Sequence, residues 1–338
     1  MRFEPAALRD ALERLFADRG VSRTHAAATA EVLVEAEIEG LTGHGLARVP
    51  QYVAQIDKGG VNATANLRVE VTGPATVIVH GDNALGPPAG FAAVEALCAR
   101  VNEIGIGAVA VREAAHAGPL SAYVARVAER GHLAMGFANA PPALAPAGGA
   151  TPVLGTNPIA LAAPAQDGPM VVDLALGVGA RGKILAAQSR GEAIPNDWAV
   201  DEHGEPTTDP DAALRGALLP IGGAKGYALA MLVETLAGFG GLLSSQLPMP
   251  WIEPDRPSTP GLFLIGFAPE RFGVREEYNQ RMGALVQSVR DAGGRLPGDR
   301  RRAARTVAAD KGLDIDEALL SRLLDAGLAV PDGRGGAG

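Results

Sequence analysis

Apolar positions recur at helical spacing through residues 4–19 (EPAALRDALERLFADR), and Gly20 marks the end of that helix. Ser22 is placed to cap a second helix running to about Glu39, which Gly40 closes. A bend, IEGLTGHGLARVPQY, follows. Val49 precedes a proline and is expected to leave helical geometry, so Pro50 opens a new short helix, PQYVAQIDKGG. Near residue 66 the period changes. LRVEVTGPATVIVHGDN reads as two alternating strands around a Gly-Pro turn, and an alanine-rich helix covers roughly 88–103. The strand GAVAVRE, the helix PLSAYVARVAERG and the strand LAMGFAN come next, then the paired runs LGTNPIALAAP and PMVVDLAL. Strands that both alternate with helices and sit in pairs predict a mixed sheet. Residues 191–212 read as a long loop before PIGGAKG and the apolar helix YALAMLVETLAG. Five prolines make 244–260 an irregular excursion, GLFLIGFAP is one more strand, and the remainder is helical.

Composition narrows the class. The chain has 338 residues, 47% hydrophobic and 20% charged, which supports a sizeable core. A net charge of −8 argues against nucleic acid or an anionic membrane as the partner. The one cysteine, Cys98, excludes an intrachain disulfide and a cysteine-based zinc cluster, and no metal site is expected. With no apolar run of membrane-spanning length and no signal-like N-terminus, the expectation is a cytoplasmic globular protein.

One glycine motif invites a nucleotide reading and fails it. GVGARG at 177–182 matches G-x-G-x-x-G after a strand, with Asp197 and Asp201 downstream. The helix that follows is short and no second strand succeeds it, so these are read as turn glycines. GIGAVA at 105–110 runs into a strand and is read the same way.

The chemistry concentrates elsewhere. Arg48 offers a fork for a carboxylate and His44, four residues before it, can pass one proton near neutrality. Together they suit a 2-oxo or 2-imino acid, although a bend histidine beside a solvated arginine has the same spacing. Asp173 is the polar residue in the apolar run MVVDLAL and needs a partner, for which an imidazolium is suited. His116 stands where a strand gives way to a helix, Lys225 lies in the glycine-rich helix entry IGGAKGY, and LPGDRRR adds a third basic loop. Three candidate anion cradles in an acidic protein point to a dinucleotide.

GHGLARVPQY, HAGPLSAYV, LGTNPIALAAP, VVDLALGVGARGKI, IPNDWAVDEHGEPTTDP, GALLPIGGAKGYALAMLVE and RLPGDRR together resemble the malate/L-lactate/L-sulfolactate dehydrogenase-like family of NAD(P)-dependent oxidoreductases over nearly the whole chain. The family also includes ureidoglycolate dehydrogenase and piperideine-2-carboxylate reductase. The resemblance implies an α/β, non-Rossmann fold with a mixed, largely antiparallel central sheet and flanking helices. It implies a homodimer with active sites near the subunit interface. The expected division is a helical domain from both termini, 1–65 and 270–338, a cofactor-binding sheet domain, 66–269, and a frayed tail at 332–338.

By motif, His44 would be the proton donor, Arg48 the carboxylate clamp, and Asp173 the acid that orients and charges His44. Thr156 and Leu174 would line the substrate site. NAD or NADP would lie along His116, Ala117, Gly118, Pro119 and Leu120, near Ala224 and Lys225, and against Pro297, Gly298 and Asp299; Arg181, Arg300 and Arg301 could each meet a 2′-phosphate. The chain departs from the family at Gly43, where members carry serine, at Leu176–Gly177, where Thr-Ser is common, at Ala117, where an aromatic is common, and after the LAG helix. The expected reaction moves hydride to or from C2 of a small 2-hydroxy/2-oxo acid of malate, lactate or sulfolactate type. Alternatives are NADPH-dependent reduction of cyclic 2-imino acids, and a weak or inactive NAD(P)H-binding homologue.

Overall fold

The computed structural model describes residues 1–240, 253–258 and 260–330, so most of the proline-rich excursion and the tail at 332–338 lie outside the described residues. Its centre is the strand β10 (Leu262–Phe267), LFLIGF, which pairs antiparallel with β4 (Ile106–Ala114) on one side and β5 (Leu133–Ala138) on the other. The seven-stranded sheet continues outward through β3 (Thr76–Ala84) and β2 (Arg68–Val71) at one edge, and β6 (Ile159–Ala163) and β7 (Met170–Leu174) at the other. Among the described strands of this sheet only β3 and β4 run parallel, joined across α4 (Gly86–Ile104). Both faces are buried. Val109 and Val111, with Leu262 and Leu264, join a core under α4 and α5 (Ser121–Glu129), while Ala110 and Phe263 join the core opposite. That two-residue alternation explains why these runs are apolar throughout.

The second core belongs to the chain ends. β1 (Arg2–Phe3) pairs with β11 (Leu313–Asp314), and the N-terminal ammonium bonds Ile315 O at 2.6 Å. Leu8, Leu12 and Phe16 of α1 (Pro5–Ala17) and Leu33 of α2 (Arg23–Ile38) pack in one cluster with Leu319 and Leu323 of α11 (Glu317–Asp325). α3 (Val49–Asp57) touches α11, and α10 (Asp299–Lys311) touches α2. α9 (Arg275–Asp291) has no buried residue.

Two local expectations need correction, and a third holds. Val49 is helical, with φ −55° and ψ −48°, despite preceding Pro50. Its complete burial in the terminal core outweighs the modest steric penalty of that position. The 191–212 loop holds a two-residue strand, β8 (Ala199–Val200), and ends in α7 (Pro210–Arg215), capped by Asp209. β8 pairs with β9 (Ala217–Leu218) in a separate small sheet. The GVGARG turn leads into α6 (Arg181–Arg190), which is followed by no strand of the main sheet. Its glycines are explained by contact: a Cβ on Gly179 would lie 2.9 Å from the Trp198 ring, and Gly177 bridges Pro220.

Candidate active site

Two successive 3-10 turns, Thr42–His44 and Leu46–Arg48, meet at Gly45 and build the bend. His44 N–H donates to Leu41 O at 2.7 Å and Arg48 N–H to Gly45 O at 3.0 Å. Leu46 is wholly buried and pins the bend to the terminal core. Arg48 folds back over it: its Nε donates to Gly43 O at 2.7 Å and a terminal nitrogen donates to Gln51 Oε1 at 2.8 Å. Gly43, lacking the hydroxyl of a serine, contributes its carbonyl to this clasp.

The partner of His44 is His116, and not Asp173. His44 Nδ1 lies 3.1 Å from His116 Nε2 with the rings near-parallel, and Tyr52 Oη lies 2.7 Å from His116 Nδ1 and 2.9 Å from His116 O. His116 is held there by a close approach of backbone: a Cβ on Gly86 would fall 2.5 Å from His116 C. Asp173 instead accepts the Ser121 N–H at 2.8 Å and lies 3.9 Å from Arg301, which is equally far from Glu39; Arg305 pairs Glu39 at 2.7 Å. A carboxylate at the α5 N-terminus gains from the helix dipole, and a nearby guanidinium adds to that. Among the described residues the contacts of Asp173 are with the Ser121 amide and Arg301, and His44 is not one of them.

The electrostatics keep both rings neutral. Burial, then the Arg48 charge, pushes the His44 pKa down to about 4. His116 is pushed well below its usual value by burial, then by Arg48 and His44. Burial raises Tyr52, so its phenol keeps its proton. Among the described residues two groups face His116 Nδ1, Tyr52 Oη at 2.7 Å and the Gly118 N–H at 3.4 Å, and the two short Tyr52 contacts outweigh the long amide contact. Tyr52 O–H then donates to His116 O, His116 Nδ1–H to Tyr52 Oη, and His44 Nδ1–H to His116 Nε2. His44 Nε2 then carries a lone pair. Burial also raises the Asp173 pKa, opposed by the Ser121 amide and Arg301.

The remaining expected residues fall in three places. Thr156 and Leu174 sit at the open end of the β6–β7 hairpin, where Leu176 N–H donates to Thr156 O at 2.7 Å and Leu174 pairs with Ile159. The entry to α8 (Ala224–Ala237) is open: Gly222 and Gly223 have φ of +60° and +61°, a Cβ on either would meet nothing within 4 Å, and Lys225 is exposed. At the third loop, Pro297 O accepts Val171 N–H at 3.2 Å, Gly298 has φ +98° beside the same residue, and Asp299 accepts Leu296 N–H while pairing with Arg302. Arg301 is thus committed to carboxylates, while Arg181 is exposed. His116, Ala117, Gly118, Pro119 and Leu120 form the β4–α5 loop, where Tyr123 O–H donates to Ala117 O. Sequence reasoning missed Tyr52 as a partner, although a buried tyrosine four residues beyond Arg48 had to place its hydroxyl somewhere.

Among the described strands the main sheet has a single parallel pair, which sets the fold outside the Rossmann class, and a neutral histidine pair lies beside the Arg48 guanidinium. The chain belongs to the malate/L-lactate dehydrogenase family, whose model matches residues 3–324. It is 42% identical over 309 residues to a (2R)-3-sulfolactate dehydrogenase (NADP(+)) of Chromohalobacter salexigens, covering 90% of this chain and 91% of that one. It is 37% identical over 323 residues to a Δ1-pyrroline-2-carboxylate/Δ1-piperideine-2-carboxylate reductase of Pseudomonas aeruginosa, covering 94% and 96%. The fold superimposes on the sulfolactate dehydrogenase of Methanocaldococcus jannaschii with a TM-score of 0.90, at 32% identity and 96% coverage of both chains.

Proposed function

We propose that the protein transfers hydride between a nicotinamide cofactor, NAD or NADP, and C2 of a small 2-hydroxy/2-oxo acid of the malate, lactate or sulfolactate type. The observation that carries this reading is the His44–His116 pair beside Arg48. Arg48 clamps the carboxylate. In oxidation, His44 Nε2 accepts the hydroxyl proton while its Nδ1–H stays on His116; in reduction the protonated ring returns that proton to the carbonyl oxygen. The carboxylate also offsets the Arg48 charge that depresses His44, so the ring becomes a better base as the acid binds. The cofactor supplies the hydride chemistry when bound. The open entry of α8, with Ala224 and Lys225, fits its phosphates, and the loops at 116–120 and 297–299 frame it. Asp173 fixes the α5 end of that frame, and Thr156 and Leu174 line the acid's side.

Reduction of a cyclic 2-imino acid is the second reading. Gly43 stands in open space beside His44, where a Cβ would meet nothing within 4 Å, leaving room for a ring. The reading also draws on the name of the Pseudomonas relative. The deciding experiment is NADH and NADPH oxidation against oxaloacetate, pyruvate, sulfopyruvate, piperideine-2-carboxylate and pyrroline-2-carboxylate. Turnover of an oxo acid supports the first reading, turnover of imines alone the second, and no turnover with retained NAD(P)H binding refutes both.

A homodimer is supported by the apolar stripe that α8 leaves at the surface, Leu229, Met231 and Leu232, each more than 40% exposed. A cytoplasmic setting is supported by a single free, buried cysteine, Cys98. Among the described residues, no helix is long and apolar enough to cross a membrane.

A further inference from the structure

The last turn of α2 and its C-cap carry Glu35, Glu37 and Glu39. Glu35 pairs with Arg126 and Glu39 with Arg305. Glu37 has no ion pair among the described residues, and the charge that acts on it is another carboxylate, Asp316. Burial pushes its pKa up. A half-buried acid without a cation is unfavourable, so its one hydrogen bond acquires weight. Glu37 Oε2 accepts the backbone N–H of Leu46 at 2.9 Å. Leu46 stands midway between His44 and Arg48 and opens the second 3-10 turn, where its N–H has no partner within the turn.

Gly45 makes the contact possible. A Cβ there would fall 2.3 Å from Glu37 Oε2 and about 3 Å from Glu37 N and Cα, so the bend lies flat against the helix at this one residue. Glu37 does not figure among the groups that shift His44 or Arg48, so it acts by position and not by charge.

We propose that Glu37 is a positioning residue, whose carboxylate, received by the missing side chain of Gly45, clamps the Leu46 amide and fixes the separation of His44 from Arg48. The proposal rests on the reading of those two as acid–base and carboxylate clamp. Reach, and not charge, is what the position requires.

Three variants separate these properties. Glu37→Gln keeps an oxygen at the same reach without the charge; Glu37→Asp keeps the charge but is one methylene short; Glu37→Ala has neither. With the turned-over acid as substrate, Gln is expected near wild type, while Asp and Ala lose roughly tenfold to a hundredfold in kcat/KM, with NAD(P)H affinity unchanged. Amide exchange at Leu46, read by NMR, is expected slow in wild type and Gln and fast in Asp and Ala. The reverse order, with Asp near wild type and Gln crippled, overturns the proposal, as does wild-type behaviour of folded Ala. If the wild type turns over no acid, the functional reading fails by itself, and the exchange rates still decide the clamp.

Discussion

His44 and His116 stack with 5.2 Å between ring centroids and 14° between planes, joined Nδ1 to Nε2 across 3.1 Å. The second ring gives the first a fixed tautomer without adding a charge, and Tyr52 fixes the second in turn. His44→Ala is expected to lower kcat by roughly a hundredfold or more, with NAD(P)H binding kept. His116→Ala is expected to cost about tenfold to a hundredfold, because His44 remains but loses its orienting acceptor. Steady-state kinetics with a parallel cofactor titration separates the two losses.

Because burial and Arg48 hold the free-enzyme His44 near 4, kcat/KM for hydroxy-acid oxidation is expected to persist below pH 6 and to fall as pH approaches about 4. In Arg48→Gln the depressing charge is gone, so that acidic limb moves to higher pH. An unmoved limb would show that Arg48 does not act on the ring.

The same depression has a stability consequence. His44 and His116 are neutral when folded, whereas the unfolded chain takes up protons below the usual 6.5. Their contribution is therefore complete above about pH 6.5 and is lost as pH falls toward 4. Urea unfolding of wild type and a His44→Gln variant across that window is expected to converge at the acidic end.

Arg48→Lys is expected to raise KM for the acid by roughly tenfold to a hundredfold with a smaller effect on kcat. An ammonium makes neither the fork to a carboxylate nor the simultaneous bonds to Gly43 O and Gln51. The comparison of KM for the acid with Kd for the cofactor checks it.

Arg301 is about seven-eighths buried between Glu39 and Asp173, each at 3.9 Å. Arg301→Leu leaves Asp173 with the Ser121 amide and no cation, while Glu39 keeps Arg305, and it is expected to cost roughly 2 kcal/mol, less than loss of a closely bonded pair would. Denaturant midpoints measure this directly.

Gly86→Ala places a Cβ 2.3 Å from Ala115 O and 2.5 Å from His116 C. It is expected to disturb the loop that holds His116 and reduce kcat while the sheet stays intact by circular dichroism.

Several features were legible in the chain itself. Period-two apolar runs announced the strands, Ser22 and Gly40 the helix ends, and the failed βαβ context of GVGARG excluded a Rossmann site, because each depends on neighbours within a few residues. His44 and Arg48 stood out as candidates for the same reason: one short bend carries both. What pairs with them was not legible. Asp173 looked like the partner of His44 because a buried acid needs one, yet the amide of Ser121 and the charge of Arg301 reach it first. His116 and Tyr52 meet 64 residues apart in sequence, and Glu37 meets Leu46 only because Gly45 lets a bend lie on a helix. Hydrogen-bond partners are chosen by three-dimensional proximity and desolvation, which the order of residues constrains but does not contain. The local elements belong to the sequence, and the partners within the site to the tertiary fold.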